Sequence, residues 1–253
     1  MTKRIALIAG GLILGAMLSC SPPVSTPEPA GDGVGAGLIE MPSTRPAPVV
    51  EGTMPAPDPT AAGDSRVFSE DFESGTWLAW YANSGLVFQN NVVHSGNLAV
   101  QGTTSDGATY GKIMLPAQYA DGYARIYFNL LSHSSRVGLL RFRTVGGASI
   151  AYHYIDDEGQ LGLHNDVAAK SIDSRTTVEP GWHALEFHAL INGAASQTEV
   201  WLDGDPEEAL SGTAELGNNP IEQLQIGEVQ SGRTYDLVLD DIAFDTGRID
   251  SQE

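Results

Sequence analysis

Hydrophobic and polar residues alternate with a period of two along much of residues 66–244. In residues 125–130, for example, Ile126, Phe128 and Leu130 alternate with side chains that would occupy the opposite face. This alternation is typical of a half-buried β-strand. Comparable strand signals occur in residues 138–143, 150–155, 181–191, 198–202 and 236–244.

Turn-forming pairs such as Asn192-Gly193 and Asp203-Gly204 separate these predicted strands. The chain has 29 Gly and 14 Pro among its 253 residues, which favours turns and strands over long helices. Many short strands at regular spacing predict an all-β fold. We expect a two-sheet antiparallel jelly-roll sandwich, formed as one domain by residues 66–247.

The N-terminus has the pattern of a signal peptide over residues 1–19, with Lys3 and Arg4 before an uncharged apolar run. The run is too short to span a bilayer comfortably as a helix. It ends just before Cys20, the only cysteine in the sequence. This segment resembles the lipobox of bacterial lipoproteins, which implies that Cys20 is lipidated and becomes the mature N-terminus. An ordinary signal peptide with an incidental cysteine is the alternative.

The resemblance to lipoproteins implies a lipid-anchored protein of the cell envelope. Ser21 follows the cysteine, which indicates the outer membrane if the organism has one. Residues 20–65 contain ten of the prolines and lack a periodic apolar pattern, so they are predicted to be a disordered tether. Residues 248–253 are predicted to be a disordered tail.

The charge balance excludes some classes of partner. The sequence has 32 Asp and Glu residues against 13 Lys and Arg residues, a formal net charge of -19. Nucleic-acid binding calls for a basic face, so neither DNA nor RNA is an expected partner. Binding to anionic lipid is disfavoured for the same reason, which leaves the lipid anchor as the only expected membrane contact.

Several local motifs resemble a known superfamily. Residues 181–187 (Gly-Trp-His-Ala-Leu-Glu-Phe) and 199–204 (Glu-Val-Trp-Leu-Asp-Gly) resemble two consecutive strands of laminin G-like modules. Residues 239–244 resemble their closing strand, and residues 67–75 resemble the opening strand of carbohydrate-binding jelly rolls. Together these motifs resemble the concanavalin A-like lectin/glucanase superfamily. The resemblance implies the fold more than the function, because this fold hosts binding modules as well as enzymes.

The catalytic motifs of two enzyme groups with this fold do not occur in the sequence. Laminarinase-type glucanases use Glu-x-Asp-x-x-Glu, in which two carboxylates share one strand face, and no segment here matches it. Jelly-roll alginate lyases carry Arg-x-Glu-x-Arg and Gln-x-His, whereas residues 141–143 read Arg-Phe-Arg and no Gln-x-His occurs. We therefore expect a protein that is not an enzyme, with a divergent polysaccharide hydrolase or lyase as an alternative.

The strand faces opposite the predicted core carry residue types that suit sugar recognition. Aromatic rings stack on the apolar faces of sugars, while Arg, Glu and His form hydrogen bonds with hydroxyl and carboxylate groups. Trp201 lies between the predicted core residues Val200 and Leu202, so its ring should point away from the core, where it could contact a ligand. The alternative is a solvated outer face of Arg–Glu pairs. The candidate ligand-binding residues are Tyr127, Arg141, Arg143, Glu186, His188 and Trp201.

Carboxylates are concentrated in the first and last predicted strands. Glu73 belongs to the first group and Asp241 to the last. Because terminal strands are often neighbours in jelly rolls, these groups would repel one another unless a cation lay between them. A structural calcium ion held by Glu73 and Asp241 is one expectation. The alternative is a solvated acidic edge that discourages aggregation between strands.

The combined expectation is a lipoprotein of the cell envelope that presents a non-catalytic carbohydrate-binding jelly roll. Its expected partner is a polysaccharide or other glycan. The alternative, from a different functional class, is a structural or adhesion module that binds envelope proteins.

Overall fold

The computed structural model describes residues 66–103 and 107–249. The predicted signal peptide (1–19), the lipidation site Cys20 and the tether (20–65) lie outside the described residues, as do residues 250–253. Two residues that the sequence analysis assigned to the tail, Arg248 and Ile249, are described, and Ile249 is buried. Among the described residues, no helix is long and apolar enough to cross a membrane.

The described residues form β-strands and two short 3₁₀ helices, at Gly193–Ala195 and Glu208–Leu210. In chain order the strands are β1 (Phe68–Glu70), β2 (Ala82–Ser84), β3 (Val87–Gln89), β4 (Ala99–Thr103), β5 (Thr109–Tyr119), β6 (Asp121–His133), β7 (Val137–Arg143), β8 (Ser149–Ile155), β9 (Gln160–Asn165), β10 (Lys170–Thr177), β11 (Trp182–Leu190), β12 (Ser196–Leu202), β13 (Asp205–Pro206), β14 (Gly212–Ala214), β15 (Ile221–Glu228) and β16 (Tyr235–Asp245).

The strands form two antiparallel sheets. Sheet A has the order β13-β12-β11-β6-β16-β4-β3, and in it β1 also pairs with β16 and β14 with β12. Sheet B has the order β10-β9-β8-β7-β15-β5-β2. This is the two-sheet antiparallel jelly-roll sandwich that the alternating sequence pattern predicts. All six predicted strand segments overlap observed strands, namely β6, β7, β8, β11, β12 and β16.

The core lies between the two sheets and consists of the alternating apolar residues. From β6, Ile126 and Phe128 are fully buried, and from β7, Phe142 is fully buried. Phe142 stacks on Phe187 of β11 with ring centroids 4.5 Å apart, and this contact joins sheet B to sheet A. Since these residues point inward, their neighbours along each strand point to the outer face of their sheet.

A second aromatic group packs beside the first strand. Phe72 stacks on Trp80, and Trp77 contacts both rings. Glu70 fixes this segment, because its carboxylate accepts hydrogen bonds from the Trp80 indole N–H (3.1 Å) and the Phe72 backbone N–H (2.9 Å). The buried Trp80 thereby places its neighbour Tyr81, which is 52% exposed, next to the outer face of sheet B.

Candidate functional site

The structure separates the six predicted ligand-binding residues into two groups on different sheets. Arg141 and Arg143 lie on β7, in sheet B. The other four lie in sheet A, on β6, β11 and β12: Tyr127, Glu186, His188 and Trp201. The alternation correctly indicated that these side chains leave the core, but the two groups do not form one site.

On the outer face of sheet A, Trp201 contacts other side chains of the protein. The Arg248 guanidinium lies 4.4 Å from the centre of the Trp201 ring, and Tyr123 stacks near it with centroids 6.4 Å apart. The backbone N–H of Ile249 donates a hydrogen bond to Glu186 (2.8 Å), and Arg248 lies 3.7 Å from the same carboxylate. Burial raises the pKa of Glu186, an effect that these contacts partly offset. Residues 248–249 therefore cover part of this face.

The remaining sheet A candidates also have close partners within the protein. His188 stacks on Tyr123 at 4.0 Å, and its two ring nitrogens lie 2.7 Å from Glu199 and 2.8 Å from Asp121. Tyr127 stacks against the imidazole of His94 with centroids 3.7 Å apart. A sugar would have to displace these contacts to use either aromatic face.

On the outer face of sheet B, the strand register places six polar or aromatic side chains in a single row. Gln225 of β15 pairs with Lys112 of β5 on one side and with Arg141 of β7 on the other. Arg141 pairs with Tyr152, Tyr152 with His164, and His164 with Ser171. Neighbouring strands lie about 4.8 Å apart, so the row crosses about 24 Å of the sheet. We call it the polar row: Lys112, Gln225, Arg141, Tyr152, His164 and Ser171.

A second, shorter row runs beside the polar row. Gln223 of β15 pairs with Met114 of β5 and with Arg143 of β7. Arg143 donates a hydrogen bond from Nε to Gln225 (2.7 Å) and another from its guanidinium to the Gly147 carbonyl. These bonds fix the Arg143 guanidinium beside the polar row.

Three cations lie close together on this face. Burial lowers the pKa of Lys112, and the charges of Arg143 and Arg141 lower it further. Burial likewise lowers the pKa of Arg143, and Arg141 adds to the effect. Asp166 is the carboxylate that contacts the group, at 3.5 Å from Arg141. The cations repel one another, so an anionic ligand would be favoured here.

The cations of this face also make contacts within the protein, which a ligand would have to extend or displace. The Arg141 guanidinium lies 3.8 Å from the centre of the Tyr152 ring and donates a hydrogen bond to Ser149 (2.7 Å). Planar guanidinium groups bind carboxylates through paired hydrogen bonds. Beside them, the partly exposed Tyr152 phenol and His164 imidazole suit the hydroxyls of a polar ligand, whereas the amides of Gln223 and Gln225 are buried.

Sequence reasoning did not identify several residues of this face. Lys112, Tyr152, Gln223 and Gln225 join Arg141 and Arg143 only through strand pairing. The Gln-x-Gln alternation in residues 221–226 was the available signal, since both amides flank the apolar Leu224. The sequence could not indicate that β15 lies between β5 and β7.

The predicted calcium ligands lie near the same loop but accept hydrogen bonds from different residues. Glu73 accepts from the backbone N–H groups of Asn97 and Leu98, both at 2.7 Å, and these bonds lower its pKa. Asp241 accepts from Ser95 (3.0 Å) and lies 2.6 Å from His94 Nδ1. Within the described part of the chain, no group of three or more His, Cys, Asp or Glu side chains is arranged to hold a metal ion. Calcium binding stays a prediction.

Comparisons with known proteins bear on the fold alone. No protein-family model matches the chain, and no curated protein matches it. Among solved structures, it is similar to the cellulose-induced protein Cip1, with a TM-score of 0.59 and 20% identity over 72% of this chain and 98% of that chain. It is also similar to an endo-β-1,4-glucuronan lyase from the fungus Trichoderma reesei, with a TM-score of 0.52 and 14% identity over 72% of this chain and 96% of that chain.

A third solved structure has the same fold. It is a carbohydrate esterase from the Shiga toxin-encoding bacteriophage phi24B, with a TM-score of 0.54 and 19% identity over 72% of this chain and 99% of that chain. These similarities support the jelly-roll sandwich that the strand topology shows. At such low identity they do not assign an activity to this chain.

Proposed function

We propose that this protein binds acidic glycans through the outer face of sheet B, without cleaving them. The observation that carries the proposal is the grouping of Lys112 on β5 with Arg141 and Arg143 on β7, on either side of β15, in a domain with many more acids than bases. A carboxylate or sulfate on a sugar would reduce the repulsion among these three cations. The length of the polar row suits an extended chain of several sugars rather than a single small anion.

The similar structures agree with this proposal at the level of ligand class. One is described as a glucuronan lyase and another as a carbohydrate esterase, and both names refer to carbohydrate substrates. Their names describe those proteins. For this chain the support comes from Lys112, Arg141 and Arg143 and from the Tyr152 phenol beside Arg141.

We also propose that the domain is displayed on the cell envelope through a lipid on Cys20, with residues 21–65 as a spacer. The support is the sequence pattern of residues 1–21, with its single cysteine directly after the apolar run. Mass spectrometry of the N-terminal peptide tests this assignment. We expect an acylated Cys20, and an unmodified, uncleaved N-terminus would contradict it.

A polysaccharide lyase is the second candidate function, and one arrangement favours it. Tyr152 lies next to Arg141 in the polar row, and His164 lies next to Tyr152. Their phenol and imidazole could exchange protons with a sugar whose carboxylate Arg141 neutralises. Release of unsaturated uronate products from a polyuronate would support this function. It would overturn the non-catalytic proposal.

The proposal is tested by comparing glycans of different charge. The full chain, purified in detergent, should bind a polyuronate more tightly than a neutral glucan. The double variant Arg141→Gln/Arg143→Gln should weaken polyuronate binding at least about tenfold, because paired guanidinium–carboxylate bonds are lost. Arg175→Gln, on the edge strand β10, is the matched control and should bind normally. Equal binding of both glycans, or binding that survives the double variant, would contradict the proposal.

A further inference from the structure

Three residues with exposed side chains lie around Gln223 on the outer face of sheet B. Tyr81 is 52% exposed, Met114 is 44% exposed and Val145 is 58% exposed. They surround Gln223, which pairs with Met114 in the strand register. We call this group the Gln223 patch: Tyr81, Met114 and Val145 around Gln223.

A buried amide holds the patch together. Gln223 is 3% exposed, and its Oε1 accepts a hydrogen bond from the Tyr81 hydroxyl at 2.6 Å. Its Nε2 donates to the backbone carbonyl of Val145 at 3.0 Å. One side chain thus fixes both the segment before β2 and the turn between β7 and β8. Tyr81 and the Val145 backbone are held in place without a ligand, which lowers the entropic cost of binding one.

The patch lies directly beside a cation. Gln223 pairs with Met114 on one side and with Arg143 on the other, so the backbone positions of Met114 and Arg143 are about 10 Å apart. Burial raises the pKa of the Tyr81 hydroxyl, and the charge of Arg143 partly offsets this effect, as expected for neighbours. A ligand that fills both positions must combine an anionic group with a small apolar group.

We propose that the Gln223 patch binds an acetyl group on the acidic glycan, so that the preferred ligand is an acetylated acidic polysaccharide. This inference rests on the proposed function. A methyl ester would not serve, because it neutralises the carboxylate that Arg143 attracts. An acetyl group on a sugar hydroxyl or amine leaves that carboxylate charged, and its methyl group can be buried against Met114 and Val145.

The test compares glycans that differ only in acetylation. One pair is a polyuronate before and after chemical O-acetylation, and the other is hyaluronan and its N-formyl counterpart, made by N-deacetylation followed by N-formylation so that no free ammonium group is left. Affinities for the full chain are measured by calorimetry. The acetylated member of at least one pair should bind about three to ten times more tightly, as expected for burial of one methyl group. The pair that shows the preference identifies the acetyl linkage.

The preference should depend on the apolar side chains of the patch. The double variant Met114→Ser/Val145→Ser should reduce the ratio of the two affinities to less than about twofold. Val167→Ser is the matched control, because Val167 is another exposed turn valine, 45% exposed, beyond the far end of β9. This control should retain the wild-type ratio.

Two negative results have different meanings. If both members of each pair bind equally well, the acetyl inference is overturned while acidic-glycan binding stands. If no acidic glycan binds, with or without acetyl groups, both the inference and the proposed function are overturned. A preference that persists in Met114→Ser/Val145→Ser would also overturn the assignment to the patch.

Discussion

At the scale of single residues, the buried His153 makes the stability of the folded state depend on pH. It lies on β8, is fully buried, and contacts the Phe187 ring edge-on at 4.5 Å. Burial lowers its pKa from 6.5 to about 3. The folded state therefore holds a neutral imidazole over a pH range in which the unfolded chain takes up a proton.

His153 should make the fold sensitive to acid. Since its pKa is lower in the folded state, its contribution to stability is complete above about pH 6.5 and is lost progressively as the pH falls towards 3. Between pH 7 and 4.5 this loss amounts to about 2–3 kcal/mol. Urea unfolding at both pH values should show that His153→Leu loses less stability than the wild type by this amount. The partly exposed His164, as His164→Gln, is the control and should follow the wild type.

A His153→Leu protein that loses as much stability as the wild type between these pH values would contradict the account. The acid sensitivity would then have to arise from other groups. Asp240 acts in the opposite direction, because burial raises its pKa to about 6 and acid stabilises its protonated form in the folded state.

The sequence predicted on which face of a strand some side chains lie, but not which residues they contact. Alternation correctly predicted that Arg141 and Trp201 leave the core, because a period of two is a property of each strand alone. It could not predict that Arg248 would stack on Trp201, since that contact joins residues 47 positions apart in sequence. Contacts of this kind depend on tertiary packing, which local periodicity does not encode.

At the scale of elements, the contacts between Trp201 on β12 and the segment after β16 should add to the free energy of unfolding. Trp201 contacts Arg248 and Tyr123, and Ile249 is anchored on Glu186. Trp201→Ala should therefore lower the free energy of unfolding by about 1–3 kcal/mol. Denaturant unfolding measures this change, and polyuronate affinity should stay within about twofold of the wild type.

Trp201→Phe is the matched variant for this experiment, because it keeps an aromatic face for Arg248. It should recover most of the lost stability. If Trp201→Ala instead abolishes glycan binding at unchanged stability, the ligand lies on sheet A, as the first interpretation of Trp201 proposed.

The carboxylates near the first and last strands are the predicted calcium ligands. β1 pairs with β16, which brings the terminal carboxylates to one part of sheet A. If Glu73 and Asp241 share a calcium ion, a hundredfold excess over the dissociation constant stabilises the fold by about 2.7 kcal/mol. Thermal melts at pH 7 should then show a melting temperature roughly 5–10 °C higher with calcium than with chelator.

Asp241→Asn should abolish the effect of calcium, whereas Asp157→Asn, in an exposed turn, should preserve it. A melting temperature that does not respond to calcium would leave a solvated acidic edge as the explanation. The same melts at acidic pH are best done with the His153→Leu variant. In the wild type, the destabilisation that acid causes through His153 would mask the stabilisation expected from protonating Asp240.

The elements themselves were easier to predict than their arrangement. The strands have clear local signals, such as Leu140 and Phe142 alternating with Arg141 and Arg143. Yet β6 and β7 are consecutive in sequence and lie in different sheets. Because of this crossover, the candidates on β6 and β7 lie on different sheets, although alternation alone places them in one set. Strand pairing depends on contacts between distant segments, and a single sequence does not show them.

At the scale of the whole molecule, the two outer faces differ in how their charges are balanced. On sheet A, His188 lies between two carboxylates and Arg248 contacts Glu186. On sheet B, Lys112, Arg141 and Arg143 are neighbours with few opposing charges in contact. An acidic domain that gathers bases on one face is suited to binding an anion there, while its remaining surface repels anions.

The most direct test of this account is to observe which face a polyuronate contacts. NMR signals of the arginine Nε–H groups and of the Trp indole N–H groups report on both faces in one titration. The Arg141 and Arg143 signals should shift with added polyuronate, while those of Arg248 and Trp201 should not. Shifts confined to Arg248 and Trp201 would contradict it and place the ligand on sheet A.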